Sequence, residues 1–331
     1  MATYVYRSYY SSWMGGVGDQ AALRISGAPG RYKVNWGDGS GEQYRYNADQ
    51  SGDGVADYTI ATHRYAQDGV YNVAVWQVPA NDVPPRLLRA HVHAHADEGR
   101  TVRGNDLDEM FLMGEHDDVV RTGNGYNWVA AGGGDDVVIG GYQTDTIDGG
   151  AGDDVLRGGA GGETDYLFGN DGNDVLRGEG GYDQLYGGDG DDRLDANIDG
   201  DALYGGAGRD RLLGDRGNDR LEGGAGADIL TGGAGGDFFG VGPDETGRDV
   251  ITDFGNDHSG ARDRIDLRGW ESAFGFKFLG TGGFTGAGEE VRFAQVGDRT
   301  VVFGDVDGDK LADFSIALLG QHTLTAADFI L

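Results

Sequence analysis

The chain has 331 residues, of which 56 are acidic and 26 basic, and its formal net charge is −30. This charge argues against nucleic acid and anionic membranes as partners, and the absence of cysteine excludes disulfides and thiol nucleophiles. No apolar run is long enough to span a membrane, and residues 1–30 lack the basic start and apolar core of a signal peptide.

Residues 1–90 form a separate block, rich in Tyr and Trp, in which apolar and polar residues alternate. This alternation predicts short strands and a small β-sandwich. The segment Asn35-Trp36-Gly37-Asp38-Gly39-Ser40, followed by His63-Arg64-Tyr65 and Gly69-Val70-Tyr71-Asn72-Val73, resembles the PKD domain. The resemblance implies a binding block of β-strands with no catalytic set of its own.

An acidic insertion separates the two halves of this PKD-like pattern. Asp49, Ser51, Asp53 and Asp57 place side-chain oxygens at the first, third, fifth and ninth positions of a glycine-containing loop. This spacing is typical of a calcium loop of the EF-hand type, without its final bidentate Glu. A solvated acidic hairpin would have the same composition, and the sequence leaves both interpretations open.

Three histidines alternate in residues 91–103, which we interpret as a linker or cap strand. On a strand, His91, His93 and His95 would share one face. Three imidazoles on one face could hold zinc. A strand with exposed histidines is the competing interpretation.

A nine-residue period organises residues 104–240 into fourteen units of nine residues and one of eleven. The consensus is G-G-x-G-x-D-x-U-x, where U is a large apolar residue. A short strand x-U-x buries only U, and glycines at positions one, two and four would supply the positive φ angles of a turn. Two units then make one coil, so that loops of alternate units stack.

Stacked loops with one carboxylate each predict a cation, because ranks of like charges repel unless a cation lies between them. Calcium takes about six to eight oxygens from carboxylates and backbone carbonyls, so neighbouring loops must share an ion. A metal-free β-solenoid is the alternative.

The units resemble the calcium-binding RTX repeat, and the resemblance implies a parallel β-roll with several Ca²⁺ ions held by position-six Asp and by glycine carbonyls. The implied aspartates are Asp118, Asp136, Asp145, Asp154, Asp165, Asp174, Asp183, Asp192, Asp201, Asp210, Asp219, Asp228 and Asp237. The implied glycines are Gly150, Gly152, Gly188, Gly190, Gly206, Gly208, Gly224 and Gly226.

Some units depart from the consensus. Glu109 and Asn127 replace Asp at position six, which predicts a mostly metal-free beginning of the roll. Gln143 and Asp199 replace Gly at position four, and we expect their loops to bind calcium poorly. Residues 158–168 contain two extra residues, which predict a bulge.

Residues 241–331 no longer follow the nine-residue period and contain short β-like segments at 247–254 and 263–267. These segments resemble the C-terminal region of serralysin-type RTX proteins, which implies a cap and an export region. Asp305, Asp307, Asp309 and Asp313 repeat the acidic-loop spacing and could bind calcium or form a plain turn. The chain ends in Asp328, Phe329, Ile330 and Leu331, which resemble a type I secretion signal, although a buried final strand would look the same.

The fold prediction is therefore an all-β protein: a parallel β-roll at 104–240 between a β-sandwich at 1–90 and a β-rich cap at 241–331. No H-E-x-x-H or G-x-S-x-G motif is present, which argues against a metalloprotease or a serine hydrolase.

We expect a secreted, non-catalytic calcium-binding protein that is exported by the type I secretion machinery. Residues 1–90 would then bind an extracellular glycan or protein. The alternatives are a non-catalytic portion or partner of a secreted hydrolase, such as a serralysin-like protease or a polysaccharide-active enzyme, and a hydrolase with an unrecognised site in residues 1–90.

Overall fold

The computed structural model describes residues 99–243, 247–255, 261–270 and 275–331 in full. Of the residues before 99, it describes only the backbone of six strands. These are β1 (Gln20–Gly27), β2 (Gly30–Asn35), β3 (Glu42–Asn47), β4 (Ala56–Arg64), β5 (Gly69–Val78) and β6 (Leu87–Ala94).

Short strands follow one another through the repeat region, one at the end of each nine-residue unit. Odd-numbered strands lie in one sheet and even-numbered strands in the other. They are β7 (Thr101–Arg103), β8 (Glu109–Leu112), β9 (Val119–Arg121), β10 (Asn127–Gly133), β11 (Val137–Ile139), β12 (Asp145–Ala151), β13 (Val155–Gly159), β14 (Tyr166–Asp171), β15 (Val175–Gly180), β16 (Gln184–Asp189), β17 (Arg193–Ile198), β18 (Ala202–Gly208), β19 (Arg211–Arg216), β20 (Arg220–Gly226), β21 (Ile229–Ala234) and β22 (Phe238–Gly240).

Each strand pairs in parallel with the strand one full coil away. Val137 lies opposite Val155, and Val129 lies opposite Ile147, so one coil contains 18 residues, or two units. The eleven-residue unit lengthens its coil to 20 residues without disturbing the register, since Leu156 still lies opposite Leu176. The predicted parallel β-roll with two units per coil is confirmed.

The core is a double column of position-eight side chains, one column from each sheet. In the middle of the roll these residues are fully buried, as Leu156, Leu176 and Leu194 are from one sheet and Leu167 and Leu185 from the other. Burying one such side chain stabilises the fold by about 1.5–3 kcal/mol. Because the column is only two side chains wide, the coils depend on their neighbours for burial.

The parallel pairing also extends beyond residues 104–240. On the N-terminal side β6 pairs with β8 in parallel, and β6 also pairs with β5 in an antiparallel sheet ordered β3-β2-β5-β6. Strands β1 and β4 form a separate antiparallel pair. The predicted PKD-like sandwich and the glycan or protein partner of residues 1–90 stay predictions, because the side chains of this block lie outside the described residues.

The C-terminal segment completes both sheets. Its elements are β23 (Asp249–Ile251), β24 (Arg264–Asp266), β25 (Lys277–Phe278), β26 (Glu290–Val296), β27 (Arg299–Asp305), β28 (Phe314–Leu319), a 3₁₀ turn (Ala326–Asp328) and β29 (Phe329–Ile330). Strand β23 continues the 13-stranded sheet and β24 the 14-stranded sheet. None of the helical structure among the described residues is long and apolar enough to cross a membrane.

Candidate metal centre

The position-six side chains form two rows, one along each edge of the roll. We name them the Asp136 edge, whose loops precede the 13-stranded sheet, and the Asp145 edge, whose loops precede the 14-stranded sheet. In both rows the backbone N–H of one position-six residue donates to the side chain one coil further on. Asp136 N–H donates to Asp154 Oδ1 at 2.8 Å, and Asp145 N–H donates to Asp165 Oδ1 at 2.7 Å.

The second carboxylate oxygen is left without a partner in most units. Ten position-six Oδ2 atoms are buried and accept no hydrogen bond from the described residues. A buried charged oxygen without a partner is strongly unfavourable, so their repetition indicates that a cation belongs beside each of them. They belong to Asp136, Asp154, Asp174, Asp192, Asp210 and Asp228 on the Asp136 edge and to Asp183, Asp201, Asp219 and Asp237 on the Asp145 edge.

Electrostatics support the same conclusion. Burial raises the pKa of Asp136 to about 8; the hydrogen bond from the Asp118 N–H opposes this rise, and the charges of Asp154 and Asp118 add to it. Burial likewise raises the pKa of Asp165 to about 9. Without a cation, the roll therefore stabilises the protonated form of these groups. A bound divalent cation would instead stabilise the carboxylate.

One early unit contains an amide where the later units have a carboxylate. Asn127 Oδ1 accepts the Glu109 N–H at 3.0 Å, as the aspartates do, while Asn127 Nδ2 donates to the Gly125 carbonyl at 3.0 Å. Gly125 is the position-four residue of the same loop. The partly positive amide group of Asn127 therefore faces a loop carbonyl, where the aspartate units would place a cation between the carboxylate and the carbonyl oxygen.

The glycines have two distinct functions, and one prediction about them is wrong. Positive φ occurs at positions two and four, as at Gly150 (+107°) and Gly152 (+132°), but at none of the described position-one glycines. At position one the glycine provides space instead, because a Cβ at Gly149 would lie 2.2 Å from Asp154 Oδ2. The predicted positive φ is therefore wrong for position one.

Positions two and four bring the backbones of successive loops close together. A Cβ at Gly150 would lie 2.0 Å from the Gly132 carbonyl oxygen, and one at Gly152 would lie 2.1 Å from the Gly134 carbonyl oxygen. The loop carbonyls of each coil therefore face the next coil with little space between them. The same positive φ is found at the other predicted glycines, Gly188, Gly190, Gly206, Gly208, Gly224 and Gly226.

The two edges differ at the beginning of the roll. On the Asp145 edge, Glu109 accepts hydrogen bonds from the backbone N–H and side-chain Nδ2 of Asn105, and Asp145 Oδ2 accepts the Gly141 N–H at 2.8 Å. These oxygens are satisfied without metal. On the Asp136 edge the unpartnered oxygens already begin at Asp136. The metal-free beginning of the roll stays a prediction, and these satisfied oxygens favour it for the Asp145 edge.

The units that depart from the consensus keep the same stacking. The two extra residues of 158–168 are accommodated in the loop, where Gly162 has open space around its Cα, and Asp165 keeps its place in the row. Asp199 adopts a left-handed φ of 73°, and Oδ2 of Asp201 in its loop remains unpartnered. The expectation that the loops of Gln143 and Asp199 bind calcium poorly stays a prediction.

Two further aspartates, which the sequence reasoning missed, extend the rows. The Asp228 N–H donates to Asp249 Oδ1 at 2.9 Å, and the Asp237 N–H donates to Asp263 Oδ1 at 3.0 Å. Asp249 begins β23 and Asp263 directly precedes β24, and both strands continue the sheets. Their sequences, Asp249-Val250-Ile251 and Asp263-Arg264-Ile265, fit the D-x-U part of the consensus, but offsets of 21 and 26 residues disguise the period.

The remaining predicted sites lie elsewhere. Asp49, Ser51, Asp53 and His95 lie outside the described residues, and so do the side chains of Asp57, His91 and His93. In the C-terminal segment, Asp305, Asp307 and Asp313 bring one carboxylate oxygen each within 4.8 Å of the others.

The same oxygens hold the turn together. Asp305 Oδ1 accepts the Gly308 N–H at 2.7 Å and Asp313 Oδ2 accepts the Val306 N–H at 2.6 Å. Asp309 Oδ1 accepts the Leu311 N–H. Either interpretation of this loop, calcium site or plain turn, stays a prediction.

The C-terminal residues Asp328, Phe329, Ile330 and Leu331 are folded into the roll. Phe329 lies opposite Ile265 in β24 and is buried, and Asp328 caps the 3₁₀ turn by accepting the Thr325 N–H at 2.7 Å. A buried final strand is therefore observed. The secretion signal stays a prediction for the same residues.

Comparison with known proteins agrees with this site. The RTX calcium-binding nonapeptide repeat matches four times, over residues 114–143, 131–163, 165–203 and 204–239. No curated protein sequence matches the chain. These segments are therefore RTX calcium-binding nonapeptide repeats, and calcium is the cation that their aspartate rows bind.

Solved structures with similarity include two subunits of the Azotobacter vinelandii mannuronan C5-epimerase. The AlgE6R3 subunit is 37% identical over 43% of this chain and 78% of that chain, with a TM-score of 0.32. The AlgE6R2 subunit is 28% identical over 43% of this chain and 88% of that chain, with a TM-score of 0.29. The extracellular lipase LipA from Serratia marcescens is 17% identical over 68% of this chain and 40% of that chain, with a TM-score of 0.28.

Proposed function

We propose that the protein is a secreted calcium-binding protein whose roll folds when calcium binds, after export by a type I system. The observation that supports this most directly is the set of ten buried carboxylate oxygens without a hydrogen-bond partner. A roll with these charges uncompensated is unstable, so the binding free energy of calcium becomes folding free energy.

The location of folding follows from the calcium concentration. Sites built from shared loop oxygens suit the weak, roughly 10⁻⁴–10⁻³ M affinities of extracellular calcium modules. At the low calcium level of the cytosol, the net charge of −30 keeps the chain expanded. An expanded chain can pass through a secretion channel, and it becomes rigid only outside the cell.

In this proposal the protein is a non-catalytic binding or structural protein of the adhesin or matrix type. Its position-six aspartates accept backbone N–H groups and would bind calcium, so they are unsuited to general acid–base catalysis. Residues 1–90 would contact an extracellular glycan or protein. Residues 328–331 would be read by the secretion machinery before they fold.

The test is a calcium titration of the full chain, starting in chelator and followed by circular dichroism and hydrodynamic radius. We expect an expanded chain that becomes compact and β-rich in a cooperative transition at roughly millimolar calcium. Magnesium at the same concentration should be much less effective, because it demands a smaller octahedral site. A compact roll in chelator that does not respond to calcium would contradict the proposal.

A further inference from the structure

The outer face of the 13-stranded sheet has an unusual charge for this chain. On five consecutive strands, β7, β9, β11, β13 and β15, the outward residues at positions seven and nine include four arginines and no acid. They are Thr101 and Arg103, Val119 and Arg121, Val137 and Ile139, Val155 and Arg157, and Val175 and Arg177. We name these residues the arginine face.

The arginines lie directly opposite one another across neighbouring strands. Arg103 is paired with Arg121, and Arg157 with Arg177. Like charges in directly opposed positions destabilise a sheet. Two such pairs on one face of a chain with a net charge of −30 would therefore be stabilised by an anionic group.

The described residues do not supply that group. None of these four arginines takes part in an ion pair with a described residue, and the Nε–H groups of Arg157 and Arg177 have no hydrogen-bond partner. Glu179 follows Arg177 at the start of the next turn without forming an ion pair with it. By contrast, Arg193, one coil beyond this face, is paired with Asp195 at 3.2 Å.

The face also has an apolar component. Val119, Val137, Val155 and Val175 form an unbroken, half-buried row beside the arginines. Strands repeat at about 4.8 Å and alternate outward residues lie about 7 Å apart along a strand. The face is therefore a strip, roughly 20 Å long, with an apolar row next to two pairs of arginines that Ile139 separates.

We infer that the arginine face binds a linear acidic polysaccharide, one that bears a carboxylate or sulfate on its successive sugars. The apolar faces of the sugar rings would lie on the valine row. Their acidic groups would lie against Arg157 and Arg177 and against Arg103 and Arg121, because guanidinium binds such oxyanions in a bidentate manner. The inference rests on the proposed function, in which the secreted protein acts by binding, and names a ligand class for that binding.

A second copy of the chain is a weaker candidate for this face. The carboxylates of the two edges already accept backbone N–H groups and face calcium, and two chains with a charge of −30 repel each other. Nucleic acid would meet the same repulsion along the rest of the roll without gaining from the valine row. A polysaccharide strand covers only the strip itself.

The test uses the full chain folded in calcium, with an oligouronate of about ten sugars, a sulfated oligosaccharide and a neutral glucan of equal length as probes. We expect one or both acidic probes to bind, with an affinity that falls as sodium chloride is added, and the glucan not to bind. The double variant Arg157→Gln/Arg177→Gln should weaken binding at least tenfold. The control Arg264→Gln/Arg299→Gln changes the net charge equally at exposed positions elsewhere and should bind like the unmodified chain.

A stability measurement separates binding from structure. Without ligand, the Arg157→Gln/Arg177→Gln variant should retain its calcium content and should melt at the same or a higher temperature, since a like-charge pair has been removed. Equal losses in the two double variants, unchanged binding by the face variant, binding of the glucan as strong as that of the acidic probes, or binding only to anionic lipid vesicles would overturn the inference. None of these outcomes would affect the calcium-folding test.

Discussion

At the scale of single residues, the two oxygens of each position-six aspartate have different functions. Asp154 Oδ1 accepts the Asp136 N–H at 2.8 Å, while Asp154 Oδ2 is buried without a partner. The first oxygen aligns successive coils, and the second contributes the charge that calcium neutralises. Asp145 differs, because its Oδ2 already accepts the Gly141 N–H.

This difference predicts that one substitution changes the stability of the roll in opposite directions without and with calcium. Asp154→Asn keeps the Oδ1 acceptor and removes the buried charge. It should stabilise the roll in chelator by roughly 1–3 kcal/mol and destabilise it in millimolar calcium by a similar amount, because one calcium ligand is lost. Thermal unfolding in the two buffers, together with calcium stoichiometry, measures both effects.

The matched variant is Asp145→Asn on the other edge. Because Asp145 Oδ2 is satisfied without metal, this substitution should leave the calcium stoichiometry unchanged. If both variants lose the same amount of calcium, the distinction between satisfied and unpartnered oxygens has no functional meaning.

At the scale of the coil, the close approach of successive loops determines which glycines are essential. At Gly150 a side chain would meet the rigid Gly132 carbonyl and would also need a left-handed φ of 107°. At Gly149 the severe contact would be with Asp154 Oδ2 at 2.2 Å, and the Gly169 carbonyl oxygen would lie at 3.1 Å. Ala131 and Ala196 occupy the same position in other units. We therefore expect Gly149 to tolerate substitution better than Gly150.

We expect Gly150→Ala to destabilise the calcium-bound roll by about 1–3 kcal/mol or more, from backbone strain and the carbonyl clash. Gly149→Ala should have a clearly smaller effect, since a side chain can rotate where a backbone carbonyl cannot. Chemical denaturation in calcium compares them. Equal losses would mean that the close approach of the loops does not restrict position two.

The sequence predicted the roll well because its period is strict. Asp at position six and an apolar residue at position eight were readable in every central unit, and the two-unit coil followed from the strand pattern. Asp249 and Asp263 were missed because irregular spacers interrupt the period before them. The arginine face was missed because its residues recur only in alternate units, and their alignment depends on an 18-residue coil in which one unit is two residues longer.

At the scale of the whole molecule, the aspartate rows make folding depend on protons as well as on calcium. In the calcium-free roll burial raises the pKa of twelve position-six aspartates from the ordinary 3.8, for example to about 6 for Asp219 and about 9 for Asp165. The folded chain therefore binds more protons than the unfolded chain between about pH 4 and pH 9. Its stability falls as the pH rises through this window.

We therefore expect the chelated protein to be more folded near pH 5 than near pH 8, as judged by circular dichroism and melting temperature. In millimolar calcium the order should reverse, because protons compete with the cation for the same oxygens. If the chelated protein instead becomes more stable as the pH rises, the buried carboxylates do not control folding.

Because alternate units face opposite edges, the length of the roll can change only in whole coils if its surfaces are to be preserved. Deleting one coil of 18 residues leaves every later loop on its own edge and every later strand in its own sheet. Deleting a single unit of nine residues would move every later loop to the opposite edge and every later strand to the other sheet. The stacked Phe168, Tyr186 and Tyr204 would then lie on the side that now contains Arg157 and Arg177. In related proteins with more or fewer repeats, insertions and deletions that preserve these surfaces should therefore comprise pairs of units.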